Sequence, residues 1–333
     1  MNIFIYNTLT KKIEPLKKSK EIFYKIYCCG PTVYNKMHLG NFRTFLIQDI
    51  LIKLLLINKF NPYFIRNITD LDEKILNKLK FQNIVFLKKY TKYHLNNFVF
   101  DYKKLKLLKP HIEPKITNHI IYQIILINNL INKKVAYIKN KSILYDIDKN
   151  YLYGCLSNRK SNKKTHFSLW KFTKKTYKKI QWYSPWGYGV PGWHTECSSI
   201  IQHYFQNNID LHSGGIDLIF PHHDNELAQL NLNTNMCKYW LHIELVTLYG
   251  NKMSKRLKNI IYFDDLIKYS INSIKLFLIF KHYQKPLNFN LQYLYIFNNL
   301  IYKLKIFFYI LYVKNIKYKK TKFKWIFLKK CLF

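Results

Sequence analysis

The sequence predicts an α/β fold built on a parallel sheet, and three stretches predict it. Residues 22–28 form an apolar, strand-like run that enters the turn Cys29-Gly30-Pro31; after His38-Leu39-Gly40-Asn41 comes an apolar stretch of helical length, residues 42–57. Strand, glycine-marked turn and helix make the opening unit of a nucleotide-binding sheet. A second strand-like run, residues 63–68, ends in the polar string Arg66-Asn67-Ile68-Thr69-Asp70, and a third, residues 209–212, leads into Ser213-Gly214-Gly215-Ile216-Asp217. Side chains at the carboxyl ends of parallel strands face the crevice in which such sheets hold their ligands.

Taken in order, residues 1–21 read as an extension with a short strand at 3–6. The helix after Asn41 presents free N–H groups and its positive end, which suit a phosphate, and His38, one turn earlier, can donate to phosphate oxygens. Asn61-Pro62 marks a turn, and Asp70 reads as the cap of a helix from about Leu71. Residues 75–150 are helical in pattern, broken by Pro110 and Pro114, with a hairpin around Lys139-Asn140-Lys141. Residues 115–180 read as a small insertion carrying a solvated basic loop at 158–165, so that 1–114 and 181–250 are the two halves of the main domain.

The stretch 182–199 is rich in aromatics and glycines and opens a helix near Gly192-Trp193; Cys197 lies about a turn and a half in, and Trp193 is either a core anchor or one wall of a pocket. A Gly-Gly turn followed by Asp217 suits a ribose. Pro221 reads as the first turn of a helix whose single face holds His222 and Glu226, with His223 and Asn225 projecting elsewhere. After a strand at 245–249 comes Gly250-Asn251-Lys252-Met253-Ser254-Lys255, a loop whose two lysines could neutralise a leaving pyrophosphate; residues 251–333 hold this loop and two or three further helices.

Composition sharpens these readings. Lys+Arg 55 against Asp+Glu 18 gives a net charge of +37, which attracts polyanions, nucleic acid first. Lys, Asn, Ile, Tyr and Phe dominate, as compositional drift would produce. Against that drift the chain keeps only 9 glycines, nearly all in the stretches above, and its arginines are Arg43, Arg66, Arg159 and Arg256. Residues retained against a drift are those the backbone or the chemistry requires. Six sparse cysteines and an N-terminus without a secretory pattern read as a cytoplasmic protein with reduced thiols, and no apolar run is read as long enough to span a membrane.

Cys29, Cys197, His222 and Glu226 can form a tetrahedral zinc constellation, although spacing alone favours two buried core cysteines and a satisfied helix histidine. Cys28 and Cys29 alternate faces of a strand, so at most one points into a site; Cys155, Cys237 and Cys331 are taken as core or incidental.

Five ordered blocks from about Phe4 to about Asn288 together resemble the cysteinyl-tRNA synthetases, a class I aminoacyl-tRNA synthetase family: CCGPTVYNKMHLGN, RNITDLDEKI, SPWGYGVPGWHTECS, GGIDLIFPHHDNELAQ and KMSK. The resemblance implies a Rossmann-type class I synthetase catalytic domain. It implies activation of L-cysteine by ATP, with Mg(2+), and transfer to tRNA(Cys), by a monomer with one zinc ion per chain. By position it makes Cys29, Cys197, His222 and Glu226 the zinc ligands. Gly30, Thr69 and Trp193 become amino-acid contacts, and His38, Gly40, Asn41, Asp217, Lys252 and Lys255 the ATP-binding and catalytic set, Asp217 serving either the ribose or the amino-acid ammonium. Zinc would separate cysteine from serine, because one heavy atom in a pocket separates substrates poorly and the metal prefers a thiolate.

The chain departs from the family pattern at Arg256, Lys258, His166 and Val190, and the anticodon-binding module that normally follows the helical bundle is expected to be absent. Two other functions fit less of the sequence. A cysteine ligase with an amino-sugar acceptor, as in the mycothiol pathway, shares the zinc and ATP chemistry but not the need for so basic a surface. A non-catalytic RNA-binding relative predicts damaged motifs.

Overall fold

In the computed structural model of the chain, residues 2–150, 153–159, 166–172, 179–230, 236–253 and 257–317 are described, the side chains of 312–317 excepted. The chain opens with a hairpin, β1 (Phe4–Asn7) and β2 (Lys12–Pro15), so the strand expected near residues 3–6 has a partner. The hairpin docks on the rest of the molecule through Asn7, whose Nδ2 donates to the carbonyl of Lys238 (3.0 Å) and whose Oδ1 accepts from the amide of Trp240 (3.0 Å). The first α/β unit follows: β3 (Tyr24–Cys28), α1 (Leu39–Ile57) and β4 (Pro62–Arg66). Next come α2 (Glu73–Lys78), α3 (Ile84–Lys104) and α4 (Ile120–Asn132).

β5 (Ala136–Lys139) and β6 (Ser142–Tyr145) form the expected hairpin, with positive φ at Asn140 (47°) and Lys141 (60°), the conformation a two-residue turn demands. β7 (Phe167–Phe172) and β8 (Gly189–Pro191) complete a four-stranded antiparallel sheet in the order β5-β6-β7-β8. The chain then returns to the main body with α5 (Trp193–Phe205), β9 (Ile209–Gly215), α6 (Asp224–Leu230) and β10 (Cys237–Ile243). A small sheet of β11 (Val246–Leu248), β12 (Asn251–Lys252) and β13 (Leu287–Phe289) and two helices, α7 (Ile271–Ile279) and α8 (Leu291–Lys317), follow.

The central sheet has the order β10-β9-β3-β4, and every pairing in it is parallel. The chain moves outward from β3 to β4, then returns to the other side of β3 with β9 and moves outward again. The order therefore reverses between β3 and β9, and ligands of open parallel sheets sit in the crevice at such a point. Cys28 is in register with both Arg66 and Ser213, so the carboxyl ends of β3, β4 and β9 lie level.

One face packs Ile26, Cys28, Phe64 and Leu211 against Leu51, Ile52 and Leu55 of α1. The other packs Tyr27, Cys29, Ile65 and Trp240 against Ile200 and Ile201 of α5. The two adjacent cysteines thus point into different cores, as strand alternation requires. Arg43 sits fully buried on α1 and donates to five carbonyls: Glu244 (2.9 Å), Leu245 (3.2 Å), Lys281 (3.3 Å), His282 (3.1 Å) and Lys285 (3.0 Å). It ties the end of the central sheet to the segment before β13.

Four expectations are corrected. Asp70 does not cap a helix: α2 starts two residues later than expected and is capped by Asp72, whose side chain accepts from the Lys74 amide (2.7 Å). Asp70 accepts instead from the amide (2.9 Å) and hydroxyl (2.6 Å) of Thr117. Arg66 does not reach the crevice; it is buried among the rings of Phe45, Phe98 and Tyr102 and paired with Glu113. Pro221 does not open a regular helix. Phe220 before it is extended (φ −126°, ψ 130°), as sterics before proline favour, and a wide turn at Ile219–His223 delays α6 to Asp224. Finally, Leu291–Leu311 of α8 is long and apolar enough, by length and composition only, to cross a membrane, contrary to the reading that no run approaches that length. Leu294 and Ile301 of this helix are buried, while most of its apolar side chains, Ile296, Leu300, Phe307 and Ile310 among them, are exposed.

Candidate metal centre and adjoining crevice

The carboxyl end of β3 delivers Cys29, the second turn of α5 delivers Cys197, the wide turn at Ile219–His223 delivers His222, and the first turn of α6 delivers Glu226. All four are buried, and their ligand atoms lie within 4.8 Å of one another. The edges are Cys29 Sγ to Cys197 Sγ, 3.8 Å; Cys29 Sγ to Glu226 Oε1, 3.6 Å; Cys197 Sγ to His222 Nε2, 3.5 Å; and His222 Nε2 to Glu226 Oε1, 2.7 Å. Tetrahedral zinc, with bonds of about 2.0–2.3 Å, separates its ligand atoms by about 3.3–3.8 Å. Three edges match that span. The fourth, between His222 and Glu226, is at ion-pair distance. Two thiols, an imidazole and a carboxylate are a donor set zinc accepts, so the residues fit the metal.

The electrostatics agree with a site made for a cation. Burial alone would raise the Glu226 carboxyl, but His222 and His212 hold it well below the usual range. Burial alone would lower His222, but Glu226 and Cys197 pull it up to about 10. Burial pushes the Cys29 thiol up, whereas Cys197, bonded by Cys29 and His222, is drawn down despite its burial.

Sequence reasoning placed His223 elsewhere and overlooked His212, and the structure corrects both. His223 Nε2 lies 3.2 Å from Cys29 Sγ, and its Nδ1 lies 2.7 Å from His242 Nε2. His212 Nε2 lies 2.7 Å from Glu226 Oε2, the oxygen that does not face His222. Cys29, His212, His223 and Glu226 therefore make a second set within the same reach. His212 stacks on Trp240 at 4.4 Å, and Gly214 leaves the room His223 occupies, since a Cβ there would lie 2.7 Å from its ring. The wide turn at Ile219–His223 is what brings two consecutive histidines inward together. For His212 a signal existed: it is in register with Tyr27, whose face of the sheet Cys29 shares.

At the turn after β3, the Gly30 amide donates to Asn67 Oδ1 (2.8 Å), and Asn67 Nδ2 donates to Thr69 Oγ1 (2.9 Å). Gly30 is obligatory, because a Cβ would lie 1.7 Å from the Asn67 carbonyl oxygen. Thr69 is buried, and its own backbone is tied to the turn by bonds from Thr69 N to Pro31 O and from Val33 N to Thr69 O, both 3.0 Å. Trp193 is 37% exposed and stacks on His222 at 4.3 Å, so it is a pocket wall and not a core anchor.

At the start of α1, His38 is the N-cap and Asn41 Oδ1 accepts from its amide (3.1 Å). Gly40 lies against the His38 ring, whose buried Nδ1 has no partner. Burial holds the imidazole below its usual range, with Asp217 opposing and Lys252 adding to the effect. Asp217 and Lys252 are exposed and paired at 2.9 Å. Lys255 lies outside the described residues. Cys28 and Cys237 are buried in the core and Cys155 is half-buried, while Cys331 lies outside the described residues.

The model of the class I (C) tRNA synthetase catalytic domain matches residues 14–297. Over 310 residues the chain is 38% identical to the cysteine–tRNA ligase of Prochlorococcus marinus subsp. pastoris, covering 86% of this chain and 62% of that protein. It is 39% identical over 306 residues to the cysteine–tRNA ligase of Wolbachia pipientis subsp. Culex pipiens, covering 85% and 66%. With the Rickettsia prowazekii ligase it shares 38% over 313 residues, covering 87% and 68%. The chain thus spans roughly two thirds of the length of these curated relatives, and less than that of the first. Among solved structures, Mycobacterium tuberculosis methionyl-tRNA synthetase in complex with methionyl-adenylate has a similar fold, with TM-score 0.64 at 9% identity, covering 82% of this chain and 67% of that one.

Proposed function

The chain belongs to the class I (C) tRNA synthetase catalytic-domain family, and from that premise we propose that it activates L-cysteine with ATP and transfers it to tRNA(Cys). The observation that carries the proposal is the buried Cys29–Cys197–His222–Glu226 quartet at the point where the parallel sheet reverses its order. These four residues would hold one zinc ion, which when bound supplies preference for a thiolate over a neutral hydroxyl. His212 and His223 would orient Glu226 and Cys29 from behind, as hydrogen-bonded neighbours of metal ligands commonly do.

The residues of the chain then divide the work. Gly30, Thr69 and Trp193 seat the amino acid. Its carboxylate oxygen forms a bond to the α-phosphorus of ATP as the bond to pyrophosphate breaks. His38 and Asn41, with the first amides of α1, meet the phosphates and stabilise the charge that moves onto them. Asp217 takes the ATP ribose, and Lys252 and Lys255 neutralise the departing pyrophosphate, Mg(2+) accompanying the nucleotide. A hydroxyl of the tRNA terminal ribose next attacks the cysteinyl carbonyl, and AMP leaves. Most of the acceleration in such a site comes from positioning and charge stabilisation. We take the working form as a cytoplasmic monomer, with residues 115–180 as the insertion between the halves 1–114 and 181–250.

The test is cysteine-dependent ATP–pyrophosphate exchange, with serine as control and zinc measured on the same sample. Exchange with cysteine alone, at about one zinc per chain, is expected. Folded, zinc-loaded protein that gives no exchange refutes the activation step. Transfer to an amino-sugar in place of tRNA refutes the acceptor.

A further inference from the structure

Of the four arginines among 55 basic residues, Arg43 and Arg66 are buried, Arg256 lies outside the described residues, and Arg159 is exposed. Lysine supplies the charge over the rest of this surface, so an exposed arginine marks a place where a planar fork does what an ammonium cannot. The Arg159 guanidinium lies over the Phe220 ring at 4.6 Å, and Phe220 is itself 36% exposed. The turn that carries Arg159 is held in place from several directions. Gly154 takes a φ of +85°, and a Cβ there would lie 2.2 Å from the Arg159 carbonyl oxygen, so the turn closes on itself at that point. Ser157 Oγ accepts from the Arg159 amide (3.3 Å), the Leu156 amide donates to Asp224 Oδ1 (3.1 Å), and Lys11 Nζ donates to the Leu156 carbonyl.

A cavity of about 510 Å³ opens between this turn, the β1–β2 turn and the wide turn at Ile219–His223, and Lys11, Ser157, Arg159, Asp217 and Phe220 line it. Two cations beside an aromatic ring suit a phosphate joined to a base, which is a nucleotide. Asp217, the carboxylate on the wall, is already paired with Lys252 (2.9 Å) and is the residue given above to the ATP ribose. The cavity therefore adjoins the crevice in which the aminoacyl-adenylate forms. The second substrate has to bring a terminal ribose hydroxyl to the carbonyl of that adenylate, so its last nucleotides pass beside Asp217. Unpaired RNA nucleotides are held by stacking on aromatic rings and guanidinium planes. We propose that this cavity seats a nucleotide of the unpaired 3′ strand of the tRNA, its base on the outer face of the Arg159 guanidinium with Phe220 behind, and its phosphate met by Lys11. The inference rests on the tRNA reading above and places Arg159 in acceptor binding, not in activation of the amino acid.

The experiment compares binding of the full chain to a tRNA(Cys) transcript and to the same transcript lacking its unpaired 3′ strand, by fluorescence anisotropy at one fixed salt concentration. Wild type is expected to bind the intact transcript about 5- to 100-fold more tightly, the range that stacking of a base on such a platform provides. Arg159→Lys keeps the charge and removes the planar stack. It should shrink that difference to within about twofold while binding the shortened transcript as wild type does. The loss should not extend to cysteine-dependent ATP–pyrophosphate exchange, which needs no tRNA. Equal affinity of wild type for the two transcripts overturns the proposal without recourse to a variant. So does an Arg159→Lys chain that keeps the full difference, one that loses both transcripts alike, or one whose exchange falls as far as its affinity for tRNA. A wild type that distinguishes the transcripts, with Arg159→Lys abolishing the distinction, yet gives no exchange refutes the activation reading and upholds this one.

Discussion

Gly30→Ala is the perturbation whose consequence the structure fixes most tightly. The added Cβ would lie 1.7 Å from the Asn67 carbonyl oxygen, 2.8 Å from its carbon and 3.1 Å from Arg66 Cγ. Two of these neighbours are backbone, so no rotamer change relieves them. Bringing the first contact from 1.7 Å to 3.0 Å requires the two loops to part by at least 1.3 Å. That parting breaks the bond from the Gly30 amide to Asn67 Oδ1 (2.8 Å) and shifts Cys29, one residue away. The buried amide left unpaired costs about 1–3 kcal/mol. Binding constellations tolerate only about 0.5 Å of displacement, so zinc affinity should fall by at least about tenfold. The assay is zinc per chain after dialysis against a competing chelator, with the thermal midpoint measured on the same protein. A variant that keeps its zinc and melts within about 2 °C of wild type refutes the reasoning.

Arg43→Lys should destabilise the fold by about 2–4 kcal/mol, because one ammonium cannot serve five carbonyls; denaturant unfolding at neutral pH measures it, and a loss under about 0.5 kcal/mol contradicts the account. His212→Gln should weaken zinc about 10- to 100-fold by freeing Glu226 Oε2, read by chelator competition, and unchanged affinity removes His212 from the site. Burial, with His212 and Lys11 adding to it, lowers His242 to about 3. The neutral ring therefore contributes stability that is full above the usual imidazole value near 6.5 and is lost as pH falls toward 3, about 2 kcal/mol of it by pH 5. His242→Gln should flatten the fall in stability between pH 7 and pH 5, and equal slopes for variant and wild type reject that origin. Binding of tRNA should weaken steeply with salt while cysteine binding does not, and a flat salt response of tRNA affinity removes the lysine-rich surface from recognition.

The parallel sheet was legible because its strands end in polar strings that composition cannot explain, and Gly30 and Gly214 mark the two places where backbone or side chain must come close. The quartet was legible only as a possibility, since its members lie on three elements whose adjacency no local spacing records. The corrections share a cause. Asp70 was read as a helix cap and Arg66 as facing the crevice, yet both are held by partners distant in sequence, Thr117 and Glu113. His223 was misplaced because helical periodicity was applied to a turn that is wider than a regular helix, and His212 was missed because its role depends on the register between β9 and β3. The Asp70, Arg66 and His212 errors came from long-range pairings and the His223 error from a local turn, whereas hairpin and alternation arguments transferred to the structure directly.

The arginines and the acidic residues point to one further step. A chain that has replaced so much of its surface with lysine keeps arginine at positions 43 and 66, where a planar fork buried among carbonyls and rings cannot be exchanged for a point charge. It keeps carboxylates at Glu226 and Asp217, where a cation must be met: a metal by the donor set, and Lys252 by direct contact. The lysines outside these points carry a field that is sequence-tolerant, because a polyanion senses summed charge at the scale of a Debye length and not individual side chains. Drift can therefore run freely over the surface without disturbing the crevice, since the two work on different length scales: angstroms at the metal and the amino acid, tens of angstroms for the nucleic acid.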